Sequence, residues 1–347
     1  MPWRSYNALT VNGERKLLSE WMHVFSDSPL SIHKEIADFL KLWMSEIDTV
    51  EVLTSGSTGT SKVISMHKSS MIQSAEITLR YFGLEEGMTA LLCLPVKYIA
   101  GKMMLLRAIT GKLNLIICEP DSMPLKNLKE NIAFCAMTPY QVQASVTNNP
   151  DDFNKVTTLI IGGAEVTPQL ESKLKQCDVE CFATFGMTET ISHIALRKLN
   201  HDTEFHALDG VTFWQDERAC LIIKAQHLDN DILTNDVVDL IDTKSFKWLG
   251  RIDNIINSAG IKIHPEQVEK KLQGLIDRRF FVTGSFDEQF GTAVCLVIEG
   301  DPFDASTMSL FESSLKDELD TYELPRSIIF MDQFLETETG KIVKQLD

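Results

Sequence analysis

Apolar residues recur along this chain at the spacings that are typical of helices and strands. In the first part of the chain, three stretches carry the helical spacing, namely residues 32–44, 71–82 and 99–109. Short runs rich in β-forming residues alternate with them, at residues 50–54, 90–94, 113–118, 132–136, 156–161 and 179–184. Gly83 and Gly111 are suitable helix stops, because glycine tolerates the left-handed conformation in which many helices end.

This alternation of strands and helices predicts an α/β fold. Apolar strands joined by helices usually form a parallel sheet, so we expect a mostly parallel sheet with helices on both faces. From about residue 205 the runs become shorter and are joined by turns, which indicates a β-rich subdomain. Its predicted strands are 211–214, 219–224, 237–242 and 246–249.

After Gly250 the pattern changes again, to a mixture of helices and strands. A helix is expected to begin at His264-Pro265-Glu266, because proline is favoured in the first helical turn. The other elements predicted there are strands at 279–283, 292–298 and 327–331 and a helix at about 305–319. The length of 347 residues suits two domains, which we place at residues 1–250 and 251–347.

The composition is that of an ordinary soluble protein, with 44% hydrophobic and 24% charged residues. No apolar run is long enough to span a bilayer, and the N-terminus lacks the apolar core of a signal peptide, so a cytoplasmic location is expected. The seven cysteines are scattered and are expected to be free, mostly buried thiols. Cys177 and Cys181 have no matching His or Cys pair, which makes a metal site there improbable.

The net charge of −16 argues against binding of nucleic acid, which requires a basic surface. An anionic substrate would meet an unfavourable overall field. A site for such a substrate must therefore gather some of the 33 Lys and Arg residues locally.

The segment 53–62 is the most informative stretch of the chain. It combines Ser and Thr hydroxyls with two glycines and Lys62, directly after a predicted strand. Glycine lets backbone N–H groups approach an anion, the hydroxyls add donors, and lysine adds a positive charge, so the segment suits phosphate groups. It is not a P-loop, because Ser61 stands where the second glycine is required and Val63 follows the lysine. A flexible Ser/Gly loop is the plain alternative.

Two further segments follow predicted strands. Gly162-Gly163-Ala164-Glu165 is a turn that suits close approach of a flat ligand. In the block 182–190, Thr188 could bond a phosphate and Glu189 could hold Mg²⁺, which prefers oxygen ligands. Taken alone, each segment is better explained as an ordinary polar turn or loop.

Three more segments carry polar chemistry nearer the C-terminus. Asp236 precedes a predicted strand and could accept hydrogen bonds from two ribose hydroxyls, although Asn and Asp also favour turns. The segment 250–265 contains a Gly-Arg-Ile-Asp run at the proposed domain boundary. Lys341 follows a glycine close to the C-terminus, where a lysine is usually a solvated charge.

The order of all these segments makes the chain resemble the adenylate-forming superfamily, which includes acyl- and aryl-CoA ligases, luciferases and the adenylation domains of peptide synthetases. The resemblance runs from about residue 50 to the C-terminus. It implies a large N-terminal domain, a small mobile C-terminal domain and a hinge at residues 251–253. Members are usually longer, so the first N-terminal subdomain is expected to be shortened. Asn235 replaces a usual glycine, and Tyr98 stands where many members have His, which concerns the gate of the acyl pocket.

The resemblance implies roles for individual residues, with ATP, Mg²⁺ and CoA as cofactors. The implied catalytic residues are Lys341, Thr188 and Glu189, of which Glu189 is also the metal ligand. The implied nucleotide-binding residues are Thr54, Ser55, Gly56, Ser57, Thr58, Gly59, Thr60, Lys62, Gly163, Ala164, Glu165, Phe185, Gly186, Asp236 and Arg251. The implied acyl-binding residues are Tyr98, Gly101, Arg107, Ser192 and His193. The implied CoA and hinge residues are Asp253, Gly260 and Lys262.

Within that superfamily the chain looks most like the o-succinylbenzoate–CoA ligases of menaquinone biosynthesis. Arg107 matches a basic position that these enzymes use near the succinyl carboxylate, and a basic residue suits an acid with a second carboxylate. The alternative for Arg107 is an arginine on the helix surface. The expected partners are a small carboxylic acid and CoA, with a possible homo-oligomer. A CoA ligase for another acid, an enzyme that loads a carrier protein, and an inactive nucleotide-binding sensor remain alternatives.

Overall fold

A computed structural model of the protein describes residues 2–53, 63–288, 290–335, 342–344 and 346. The described residues form eight α-helices: α1 Leu18–Ser26, α2 Ser31–Met44, α3 Lys68–Tyr81, α4 Ile99–Gly111, α5 Pro139–Asn148, α6 Pro168–Leu174, α7 Pro265–Leu272 and α8 Ala305–Glu318. Short 3₁₀ turns lie at Pro2–Ser5, Pro150–Lys155, Thr188–Thr190 and Ile252–Asn254. None of these helices combines the length and the apolar character that crossing a bilayer would require in the part of the chain described.

The strands of the first half are β1 Ala8–Val11, β2 Glu14–Leu17, β3 Thr49–Leu53, β4 Val63–His67, β5 Thr89–Leu92, β6 Asn114–Ile117, β7 Ile132–Met137, β8 Val156–Ile161, β9 Glu180–Gly186 and β10 His193–Lys198. The strands of the second half are β11 Phe205–Ala207, β12 Val211–Gln215, β13 Cys220–Ala225, β14 Ile232–Asp242, β15 Ser245–Arg251, β16 Ile256–Ser258, β17 Ile261–Ile263, β18 Phe280–Asp287, β19 Gly291–Glu299 and β20 Ser327–Met331.

One large sheet of thirteen strands organises the molecule, in the order β12-β13-β14-β15-β11-β10-β9-β8-β7-β5-β6-β1-β2. The six strands from β9 to β1 in that order run parallel to one another, and the alternating pattern predicts five of them, β5 to β9. The strands after β9 are antiparallel and continue the same sheet. The sequence indicated a β-rich subdomain there but not its pairing onto the parallel sheet.

Helices cover both faces of the parallel part. Side chains alternate along a strand, so Ala90 and Leu92 of β5 pack with α3 and α4 on one face. Leu91 points the other way and packs with α5 and α6. Gly111 fixes how closely α3 and α4 approach, since a Cβ there would lie 2.7 Å from the Leu79 side chain. The two-faced arrangement agrees with the predicted layers.

Helix α4 is the most deeply buried element near the site described below. All residues from Gly101 to Thr110 are buried, so its two charged side chains must find partners inside the protein. Lys102 Nζ donates to the backbone oxygens of Val96 at 2.8 Å and Lys97 at 2.6 Å, and so fixes the loop before α4. The other charged residue is Arg107, which belongs to the candidate site.

The N-terminal residues form structure that the pattern did not predict. Strand β1 joins the main sheet beside β6, and β2 pairs with it as an edge strand. A separate hairpin consists of β3 and β4, with Leu53 paired to Val63. This hairpin brackets residues 54–62, which lie outside the described residues.

The C-terminal part has its own packing. Strands β18, β19 and β20 form a three-stranded sheet, β16 and β17 form a hairpin, and α7 and α8 pack against them. The core there contains Ile256, Val268 and Leu296 and no described residue before 256. Across the proposed boundary, Gln267 Nε2 donates to the backbone oxygen of Leu249 at 2.8 Å.

Candidate active site

Two of the predicted polar segments meet at one edge of the large sheet. The turn 162–165 follows β8, and the turn that begins at Gly186 follows β9. These two strands are parallel neighbours, with Ile161 opposite Ala183. Since the carboxyl ends of parallel strands lie on the same side, both turns open at the edge where α/β proteins usually bind ligands.

Two glycines keep these turns close to the strands. A Cβ on Gly162 would collide with the Thr184 hydroxyl, which donates to the Ile161 carbonyl at 3.2 Å. A Cβ on Gly186 would lie 2.5 Å from the Ser192 carbonyl oxygen. Glycine is therefore required by packing at both positions, while Gly163 adopts a φ of +89° that side chains rarely accept.

The segment 187–192 is shaped by Thr190, which the sequence analysis did not single out. Its buried hydroxyl accepts from the Met187 N–H at 2.9 Å and lies 2.8 Å from the Ser192 carbonyl oxygen. This arrangement leaves Glu189 exposed and Thr188 half-buried at the sheet edge. Ile191 has a φ of +68°, which is strained for a β-branched residue.

The exposed Glu189 suits a metal ion that is bound mainly through a ligand. No group of three or more His, Cys, Asp or Glu that could hold a metal occurs within the described residues. Mg²⁺ is commonly held by one or two carboxylates together with substrate phosphates. The single carboxylate therefore fits a nucleotide-bound Mg²⁺.

Asp236 and Arg251 face each other on β14 and β15, where they form a register pair. The Trp248 indole N–H donates to Asp236 Oδ1 at 2.9 Å, and no described residue donates a hydrogen bond to Oδ2. Burial raises the pKa of Asp236, and Trp248 and Arg251 partly oppose that rise. Trp248 is a site residue that the sequence analysis missed, because only the strand register brings it to Asp236.

The Arg251 guanidinium bonds the proposed hinge residue instead. Its Nη2 lies 2.7 Å from Asp253 Oδ2. The Asn235 amide donates to both Asp253 oxygens at 3.2 Å, which a glycine at that position could not do. Asp253 lies in the 3₁₀ turn that follows β15.

Arg107 lies inside the protein and not on the helix surface. Only 2% of it is exposed, and no salt bridge joins it to a described acidic residue. Its Nη2 donates to Ser192 Oγ at 2.5 Å and to His193 Nδ1 at 3.4 Å. Its Nη1 lies 3.6 Å from Met104 Sδ, and its Nε has no partner in the described part. Burial lowers the pKa of Arg107 to about 9.

The other predicted acyl residues lie at the start of α4. Tyr98 is half-buried at the N-cap of the helix, and the Lys97 ammonium stands 5.0 Å from its ring centre. A Cβ on Gly101 would collide with the Pro95 carbonyl, so packing of α4 on the preceding loop explains this glycine.

Glu165 faces charged groups of the C-terminal part. Desolvation and the neighbouring carboxylate of Glu269 raise the pKa of Glu165 to about 7, against the influence of Lys270 and Lys344. Lys344 Nζ in turn binds Glu269 at 2.7 Å. Ala164 and Glu165 lie at the rim of the site, where the Glu165 side chain still reaches solvent although its carboxyl group is partly desolvated.

Three more of the predicted site residues are described by the structure, namely Phe185, Gly260 and Lys262. Phe185 packs its ring 5.0 Å from that of Phe246, within an aromatic cluster. Gly260 has a φ of +86° in the turn between β16 and β17, and Lys262 is exposed on β17. The remaining predictions fall outside the described residues: Thr54, Ser55, Gly56, Ser57, Thr58, Gly59, Thr60, Lys62 and Lys341.

Comparisons with known proteins agree on the kind of fold and on the family. The family model described as AMP-binding enzyme matches residues 50–217. A solved structure described as an acyl-CoA synthetase (AMP-forming)/AMP-acid ligase II-like protein from Dyadobacter fermentans is 31% identical, with a TM-score of 0.62. That likeness covers 93% of this chain and 95% of the other.

Two more distant similarities are to proteins named for o-succinylbenzoate. The o-succinylbenzoate coenzyme A synthetase of Bacillus subtilis, solved with ATP and a magnesium ion, has a TM-score of 0.74 at 16% identity and covers 95% of this chain and 81% of that one. The 2-succinylbenzoate–CoA ligase of Salmonella typhimurium is 23% identical over 84% of this chain. This chain spans 65% of the length of that ligase. The predicted α/β fold class is confirmed.

Proposed function

This chain belongs to the AMP-binding enzyme family, and from that membership we propose that it is an AMP-forming acid–CoA ligase. In the first step a carboxylate oxygen of the acid attacks the α-phosphate of ATP, and pyrophosphate leaves. In the second step the CoA thiol, as it loses its proton, attacks the acyl carbonyl, and AMP leaves. The products are a thioester, AMP and pyrophosphate.

The first step brings two anions together, so positioning and neutralisation of charge dominate catalysis. Thr188 lies in the turn that follows β9 at the carboxyl ends of the strands, and its hydroxyl would donate to a phosphate oxygen. Mg²⁺ held by Glu189 would offset the phosphate charge. Asp236 Oδ2 remains available to accept a ribose hydroxyl, while Trp248 holds Oδ1.

The proposal includes alternation of the C-terminal domain between the two steps. Lys341 would bridge the acyl carboxylate and the phosphate during adenylation, and rotation about residues 251–253 would then withdraw it. The same rotation would bring Gly260 and Lys262 towards the site for the CoA step. The separate C-terminal core beyond residue 255 supports a domain boundary near residue 250.

For the acid we propose o-succinylbenzoate, and the buried cation Arg107 carries this choice. A buried guanidinium without an acidic partner is unfavourable until an anion compensates it. No described acidic residue supplies that anion, and Nε and Nη1 lack oxygen acceptors in the same part of the chain. An acid with a second carboxylate supplies it, and o-succinylbenzoate is such an acid. The Salmonella relative is described as a ligase for this acid.

The test is pyrophosphate release with ATP, Mg²⁺ and a panel of acids, with and without CoA. The panel should compare o-succinylbenzoate with two acids that each keep one of its carboxylates, because only one carboxylate forms the thioester. These are 2-butyrylbenzoate, which keeps the aromatic carboxylate, and 4-oxo-4-phenylbutanoate, which keeps the aliphatic one. CoA-dependent turnover that is strongest with o-succinylbenzoate supports the whole proposal. Turnover with another acid keeps the reaction and rejects the substrate, and an absence of turnover with every acid rejects the reaction.

A further inference from the structure

A continuous line of buried hydrogen bonds runs behind Arg107. From Arg107 Nη2 it passes to His193 Nδ1 at 3.4 Å, and His193 Nε2 lies 3.3 Å from Thr78 Oγ1. Thr78 Oγ1 then donates to the Ser74 carbonyl oxygen at 3.2 Å. Thr78 is fully buried and His193 is 7% exposed, so this line is shielded from water.

The direction of every hydrogen bond in this line follows from chemistry. Arg107 can only donate, and Ser192 Oγ, which lies 3.3 Å from His193 Nδ1, accepts from Arg107 and can donate its own proton to the ring. Both contacts of Nδ1 are therefore hydrogen bonds when Nδ1 accepts and carries no proton. The imidazole is therefore the neutral form with its proton on Nε2, which donates to Thr78 Oγ1. The Thr78 hydroxyl consequently donates to Ser74, whose carbonyl can only accept. Burial and the nearby Arg107 both lower the pKa of His193, in agreement with a neutral ring.

We infer that His193 and Thr78 are positioning residues that hold Arg107 for the second carboxylate of the acid. This inference rests on the proposed function. His193 and Ser192 occupy Nη2 of the guanidinium, which leaves the hydrogens on Nε and Nη1 for an incoming anion. Thr78 acts indirectly, because its hydroxyl accepts the hydrogen bond of His193 Nε2 and so keeps the imidazole proton on the nitrogen that faces away from Arg107.

Loss of the Thr78 hydroxyl would remove the only described partner of His193 Nε2. The ring could then place its proton on Nδ1, where an N–H would face the N–H groups of Arg107. The guanidinium would move away from Ser192, and its long side chain would regain rotamer freedom that binding must then remove. Binding of the acid would weaken without a direct change at the nucleotide.

The test compares T78V with T110V in steady-state kinetics. Thr110 is a matched control, because it is buried on α4 and its hydroxyl has no partner within the described residues. T78V should raise the KM for the dicarboxylic acid about threefold to tenfold, as expected for one net hydrogen bond. T78V should leave kcat and the KM for ATP within twofold of the wild-type values. T110V should change none of these values, and T78S should have the wild-type KM for the acid. An unchanged acid KM in T78V, or an equal rise in the KM for ATP, overturns the inference.

A spectroscopic arm does not depend on turnover. In ¹⁵N-histidine-labelled protein at pH 7, the ring nitrogens of His193, identified by their loss in H193N, should report a neutral imidazole with its proton on Nε2. T78V should shift this signal towards the other tautomer, while T78S should not. A protonated ring or an Nδ1–H tautomer in the wild type contradicts the inference. If no acid is turned over, the proposed function fails, and this measurement still decides how Arg107 is held. Should T78V fail to fold, T78A replaces it in both arms.

Discussion

Replacing Arg107 by methionine should stabilise the folded protein and weaken the enzyme. Methionine has a similar length and no charge, and Arg107 is a buried cation without a described acidic partner. A group that is retained at a cost in stability is typical of binding sites. If Arg107 instead served only the fold, its removal would destabilise the protein.

The magnitude follows from the burial of the charge. Burial lowers the pKa of Arg107 to about 9, below the usual value for arginine. Each pH unit of that difference corresponds to about 1.4 kcal/mol, so burial of the cation costs roughly 4–5 kcal/mol at pH 7. R107M also removes the hydrogen bonds to Ser192 and His193, and this loss destabilises the folded protein by about 1–3 kcal/mol. The net gain in the free energy of unfolding should be about 2 kcal/mol, or a rise of a few degrees in Tm.

Two assays measure the expected gain in stability and the expected loss of affinity for the acid. Chemical denaturation at pH 7 measures stability, and the KM for the acid should rise about tenfold to a hundredfold as one charge-assisted interaction is lost. K68M is the matched control, because Lys68 is an equally buried cation whose Nζ donates to the carbonyls of Trp43 at 2.8 Å and Ser45 at 2.9 Å. K68M should lower stability. A loss of stability in R107M as large as that in K68M would refute the reasoning.

Three further predictions concern the nucleotide side of the site and the proposed domain alternation. W248F removes the donor to Asp236 and should raise the KM for ATP severalfold while the KM for the acid stays unchanged in the same assay. The pKa of Glu165 is raised to about 7 in the folded protein, so between about pH 4.5 and 7 the folded protein still binds a proton there that the unfolded chain has released. The contribution of this group to stability therefore falls as the pH rises through that range. E165Q should therefore raise Tm more at pH 8 than at pH 5, and an equal effect at both values contradicts that account. K341A should cut adenylation by orders of magnitude and spare thioester formation from supplied acyl-adenylate; an equal loss in both steps would remove Lys341 from the proposed role.

The apolar pattern predicted those helices and strands that bury one whole face or both faces. It predicted α2, most of α4 and the five parallel strands β5 to β9, because each buries a whole face or both faces. It missed β10 and β11 as partners of β9 and β15, since strand order depends on pairing between distant segments. It also missed β1, which joins the sheet through only a short parallel contact with β6.

The site divides in the same way. Residue type, order and the family resemblance were enough to propose Asp236, Glu189 and Arg107 as site residues. Trp248 and Thr78 were not found, since each acts through a hydrogen bond that exists only after strands or helices have packed. An indole or a buried hydroxyl in an apolar run carries no spacing that marks it as part of a site.

The central claim is that the protein joins a dicarboxylic acid to CoA at the expense of ATP. The most direct measurement is the rate of pyrophosphate release with o-succinylbenzoate, compared with 2-butyrylbenzoate and 4-oxo-4-phenylbutanoate, in the presence and absence of CoA. The account predicts CoA-dependent turnover with o-succinylbenzoate and a loss of at least tenfold in kcat/KM with each acid that keeps only one of its carboxylates. Turnover of either of these acids equal to that of o-succinylbenzoate would contradict the role of Arg107, and no release with any of the three acids would contradict the proposed reaction with this substrate.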